Sequence, residues 1–145
     1  MKNIVLSFLL LLVLGITSCH KTDQVNPTGD PLKEHTQDMG QAKLWLPGKW
    51  KLTKVWAMIP NPSVPNVVLE VDQNQIKLIQ NGNQTDQVTY EVIKLNGGLQ
   101  IKTDAQPRED NWYIRNPSLY INRGRMFFDL GVATDGPGYE FSRLN

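Results

Sequence analysis

From Gly48 to the C-terminus, apolar residues recur at every second position in runs too short and too often interrupted for a helix. No other feature constrains the fold as much. A period of two buries one face of a strand and leaves the other in solvent. Trp50, Leu52, Trp56 and Met58 fall on one such face, with Lys49, Lys51 and Thr53 on the other. Asn61-Pro62-Ser63-Val64-Pro65-Asn66 cannot pair as a strand and reads as a loop. Val67, Leu69 and Val71 alternate next, followed by Ile76 and Leu78, and Asn81-Gly82 is a strong hairpin signal. Val88, Tyr90 and Val92 continue the pattern, and Asn96-Gly97-Gly98 turns it into Leu99, Ile101 and Thr103. Beyond a polar loop at 104–110 come Trp112-Tyr113-Ile114, Leu119-Tyr120-Ile121 and 126–130, then a Gly-rich loop at 131–138 and a last strand at 139–144. Only Ala42-Lys43-Leu44-Trp45-Leu46 suggests a helical turn, stopped by Pro47-Gly48. The reading is an all-β, antiparallel domain of eight or nine short strands, a barrel or a sandwich.

The first residues follow another rule. Lys2 precedes an apolar run from 4 to 16, broken only by Ser7 and Gly15. It is too short for a permanent span, and small residues follow it, as in a cleavable export signal. Leu14-Gly15-Ile16-Thr17-Ser18-Cys19 resembles the lipobox of bacterial lipoproteins. The resemblance implies cleavage before Cys19, a diacylglycerol thioether on its sulfur and acylation of its new amine. Several acyl chains on one residue anchor stably where one binds only marginally. Membrane is therefore the first partner expected. His20 is not a retention signal of the aspartate type, which implies the outer membrane of the cell envelope and leaves the leaflet open.

Removing residues 1–18 of the 145 leaves 127, enough for one domain and a tether. Lys2 leaves with the signal, so 14 Lys and Arg face 14 Asp and Glu. No basic excess remains to condense on nucleic acid, which is not expected as a partner. Residues 20–41 are polar, with Pro27, Gly29 and Pro31 breaking any helix, and read as a flexible linker. The chain thus divides into a signal peptide at 1–18, the lipidated Cys19 with its linker at 19–41, and a domain at 42–145. Cys19 is the only cysteine, so the domain holds no disulfide.

Gly48-Lys49-Trp50 opening the first strand and Arg143 near the end of the last resemble the lipocalin pattern. The chain is similar in particular to small lipocalin-like lipoproteins of Bacteroidota. The resemblance covers about residues 44–145 and implies a barrel of about eight strands. It also implies that Gly48 lets the chain turn tightly, that Trp50 plugs one end, and that Arg143 lies across its ring. This chain is shorter than large lipocalins, and no helix against the barrel is evident.

Chemistry-bearing residues are few. If alternation runs unbroken from Trp50, then Lys54, Trp56 and Met58 also point inward, and Lys54 would meet an anionic head group there. Alternatively, a bulge frees Lys54 to reach solvent and leaves Trp56 as ordinary core, since an unpaired buried lysine is costly. Trp112 and Tyr113 follow Arg108-Glu109-Asp110 and suit a ligand or protein contact, or a solvated loop with one core anchor. His20 and His35 precede every strand and have no carboxylate at metal-ligand spacing. Glu109-Asp110 would diverge, and Asp135-Gly136-Pro137-Gly138 lacks both the oxygen ligands of a calcium loop and the lysine of a P-loop. The expectation is a non-catalytic protein without metal or cofactor. It would bind a small hydrophobic or amphipathic ligand at the mouth formed by loops 59–66, 104–111 and 131–138. Were the interior filled by Trp50, Trp56, Trp112 and Phe128, it would instead bind an envelope protein.

Overall fold

The computed structural model describes residues 34–106 and 114–145. Eight antiparallel strands close into one barrel: β1 (Gly48–Trp56), β2 (Val67–Val71), β3 (Gln75–Gln80), β4 (Asn83–Leu95), β5 (Gly98–Thr103), β6 (Ser118–Ile121), β7 (Arg125–Asp129) and β8 (Gly138–Leu144). Each strand pairs with the next in sequence, and β8 returns to β1, so no edge is left open. The alternation in the sequence becomes the burial pattern. Val67, Leu69 and Val71 are buried on β2, Ile76 and Leu78 on β3, and Leu119 and Ile121 on β6. Ile114 is buried as well, in a 3-10 turn, and Trp112 and Tyr113, expected in a strand with it, lie outside the described residues.

Turn chemistry follows the residues that tolerate a positive φ. Asn81-Gly82 (φ 52° and 83°) and Asn96-Gly97 (φ 51° and 81°) join β3 to β4 and β4 to β5. In such a meander the connections alternate between two poles. At one pole lie the loops 57–66 and 130–137, with the described ends 104–106 and 114–117 of a third; here it is termed the loop pole. Of the segments expected to form a mouth, 59–66 and 131–138 share this end, and most of 104–111 lies outside the described residues.

The other pole is capped by a short helix, α1 (Met39–Trp45). The Asp38 carboxylate accepts the Gln41 N–H at its start, 2.6 Å away, and Pro47 lies just past its end. Ala42 and Leu46, four apart, face the core and are fully buried. Residues 34–41, which read as the end of the linker, are held at this pole. Thr36 N–H donates to Ile121 O (3.0 Å), Asn122 Nδ2 to Glu34 O (3.1 Å), and His35 sits edge-on to Tyr120 at 4.8 Å.

Candidate functional site

The helix-capped pole is built around Trp50. Its indole N–H donates to Leu46 O at 2.8 Å, which ties α1 to β1. In the β1–β8 register Trp50 stands opposite Arg143, whose guanidinium lies 4.1 Å from the ring centroid. That contact contributes roughly 0.5–2 kcal/mol, more where water is excluded. The same guanidinium donates from Nη1 to Pro47 O (2.9 Å), from Nη2 to Trp45 O, and from Nε to Arg123 O (2.8 Å). Three carbonyls, from the end of α1, the α1–β1 connection and the β6–β7 turn, thus accept from one cation, and partial burial lowers its pKa from the ordinary arginine value. Gly48 is needed here for space as well as conformation. Its φ is 139°, and a Cβ would fall 2.4 Å from Arg143 Nη1.

Inside, the core is closely packed. Its buried apolar residues, including Trp50, Leu52, Ile101, Phe128 and Phe141, are at most 5 % exposed. Val55, Ala105 and Leu130 are partly buried and pack against them.

Lys54, Trp56 and Met58 do not join that interior, which corrects the reading by unbroken alternation. The register against β8 shifts between Leu52 and Lys54: Leu52 pairs with Phe141, and Lys54 already pairs with Glu140. Thr53 is the extra residue of a bulge, and its hydroxyl donates to Glu140 O at 3.1 Å. The slip turns Val55 inward against the core and sends Lys54 and Trp56 to the outer wall. Trp56 is half-buried there and is not part of the core. The reason is energetic, because an inward Lys54 would face only apolar side chains. Outside, its Nζ rests 3.8 Å from the Trp56 ring centroid. Met58 lies beyond the strand end and is exposed.

The outer wall that receives Trp56 is more densely packed than a solvated barrel face. Trp56 meets Phe127 edge-on at 6.2 Å, and Phe127 in turn lies 6.1 Å from Tyr120. Phe127, Arg125 and Glu140 are all buried, with Arg125 Nε 3.5 Å from Glu140 Oε1. The indole N–H of Trp56 is buried and has no acceptor among the described residues. None of this outer wall was foreseen. The only signal available was that Phe127 and Phe128 are adjacent, so one of the two had to face out.

Two surface depressions lie toward the helix-capped pole. A cleft of about 570 Å³ runs between α1 and β4, lined by Lys43, Leu44, Gln73, Tyr90 and Glu91 among others. A smaller one of about 240 Å³ lies beside the β4–β5 turn and β6. In the larger, Tyr90 Oη donates to Asp72 O at 2.7 Å. Burial, and then the nearby Asp72 charge, push its phenol up to about 12. Among the described residues, no three His, Cys, Asp or Glu side chains converge as metal ligands would. Cys19, Trp112 and Tyr113 lie outside the described residues.

No protein family, curated protein or solved structure matches this chain. Its site is defined by its own geometry alone.

Proposed function

We propose that this protein is a lipid-anchored, lipocalin-like protein of the outer membrane of a bacterial envelope that works without catalysis by binding another protein on its outside. The closely packed core carries the reading. Core side chains at most 5 % exposed leave little room for a calyx among them, which favours the wall and the loops as working surfaces. The export signal and Cys19 support the anchor, since acyl chains on that residue would hold the domain at a membrane. Balanced charge supports neither nucleic acid nor an anionic surface as the partner.

Uptake of a small amphipathic molecule is a second reading, and one observation favours it: the open cleft between α1 and β4 offers Lys43 beside apolar surface. Native mass spectrometry of the full chain, released from membranes in mild detergent, separates the two. A stoichiometric protein-sized addition is expected. An addition of a few hundred daltons with no protein would turn the assignment to the cleft.

A further inference from the structure

We infer that the partner docks by adding an extended segment as a strand to the open edge of β4, in the cleft beside α1, and that this segment belongs to a different protein. The inference rests on the protein-binding reading above.

β4 is longer than either neighbour can pair with. Of its 13 residues, β3 pairs with Asn83–Thr89 and β5 with Tyr90–Leu95. Each half therefore overhangs one neighbour and has one edge without a strand. Backbone groups alternate sides along a strand. Tyr90 N–H donates to Asn74 O at 3.0 Å on the β3 side, so the N–H and C=O groups of Val92 and Lys94 point to that side too. Glu91, Ile93 and Leu95 turn theirs to β5. β3 has ended by then, and among the described residues none bonds to the backbone of Val92 or Lys94 on that side. Such a row of unpaired groups is a template for another strand.

The other overhang is closed. On the β5 side of its first half, Gln87 N–H donates to the Asp86 carboxylate (2.8 Å) and Thr89 N–H to the Asp104 carboxylate (2.9 Å), while Asp104 N–H returns to Thr89 O (3.4 Å). Carboxylates there occupy the donors that a further strand would need. Among the described residues, no side chain does the same for Val92 or Lys94. One edge of β4 is thus blunted and the other is left open.

The cleft of about 570 Å³ lies where β3 would have run on, and its shape selects the occupant. Lys43 and Leu44 of α1 line one wall, Tyr90 and Val92 of β4 the other, and Gln73 of the β2–β3 turn closes one end. The edge thus looks across a gap at α1, and one extended chain fits between them. A second copy cannot pair this edge with its own, because each edge would bring its own helix into the same gap. Nor can it offer the first half of β4, whose donors the Asp86 and Asp104 carboxylates hold. Acyl chains carry no donor or acceptor, so a membrane does not answer these amides and carbonyls. Val92 is buried, and an unpaired backbone group there costs about as much as a lost hydrogen bond until a strand supplies it. At about 3.3 Å per residue, the open stretch holds a segment of roughly three to five residues. Lys43 and Glu91 offer one charge of each sign beside exposed Leu44, so main-chain pairing carries the recognition and net charge does not.

The test is photo-crosslinking of the full-length chain in its native cells, with the crosslinking residue at Gln73 in the cleft or, as control, at Gln87 on the blunted edge. Expected is one heteromeric protein adduct from position 73, roughly tenfold weaker from 87. Lys94→Pro removes an N–H that faces the cleft and spares the β5 rungs of Ile93 and Leu95, so it should cut the adduct roughly tenfold. Lys94→Ala keeps that N–H and should leave the adduct within about twofold. Leu44→Trp fills the cleft from α1 without touching the sheet. It should act as Lys94→Pro does, which keeps the test decisive if the proline variant unfolds. Equal loss in Lys94→Ala and Lys94→Pro would overturn the inference, because the side chain and not the edge would then be recognised. A lipid or small-molecule adduct, an adduct of twice the chain mass, or a crosslink within one chain would each overturn it as well. If a protein co-purifies equally with the wild-type chain and all three variants, the cleft is not the docking surface although the protein-binding reading stands. If no protein co-purifies at all, that reading fails first.

Discussion

Tyr90 shows how one hydroxyl couples titration to stability. Its phenol is held near pKa 12 against an ordinary 10.0, because burial and the Asp72 charge both disfavour the phenolate. The folded state thus keeps a proton that the unfolded chain releases from about pH 10 upward. The resulting stabilisation is complete below pH 10 and is lost as pH rises toward 12. Urea unfolding midpoints of the wild-type protein should fall more steeply between pH 9.5 and 11.5 than those of Tyr90→Phe, and a parallel pair of curves would mean the phenol is not so held. Arg143 acts at the same scale through geometry. The lipocalin resemblance foresaw its place over Trp50, and the three carbonyls it gathers follow from being pinned there. What no residue pattern announced was the pairing of Tyr90 with Asp72, which depends on how far β4 runs past the end of β3.

Among the elements, β1 separates what was legible from what was not. Lys49, Lys51 and Lys54 all reach the outside, yet strict alternation can place only the first two there. The third betrays the bulge, because a lysine at an inward register would lose its hydration with no partner. Sequence posed the two possibilities, and the packing of β1 on β8 selected one. The same slip sets Trp56 opposite Gly138, where only a missing side chain leaves room for Phe127 and Val132. Gly138→Ala should accordingly lower stability by about 1–3 kcal/mol through overpacking of the wall. Equilibrium denaturation checks this, and an unchanged midpoint would mean that Phe127 and Val132 can move aside freely. The helix α1 was legible from Ala42 to Leu46, but its first turn from Met39 was not, since Asp38 acts as a cap only when the chain docks.

For the whole molecule, the proposed anchor is tested by where the barrel is found. If Cys19 carries lipid, Cys19→Ser should shift the chain from the detergent-extracted membrane fraction to the soluble one, with the barrel's unfolding midpoint unaltered; retention in the membrane would mean that something else holds it there. The all-β class and most strand positions belong to the sequence, because period-two alternation and Asn-Gly turns are local and write themselves into consecutive residues. Eight-strand closure was implied by only a few residues, and the structure supplies it through the β1–β8 ladder. Which wall Trp56 faces, and how the core packs, were decided only in three dimensions. Both depend on side-chain volumes and on a single inserted residue, Thr53, bonded to a strand 87 positions away, and neither has a period that a sequence can display.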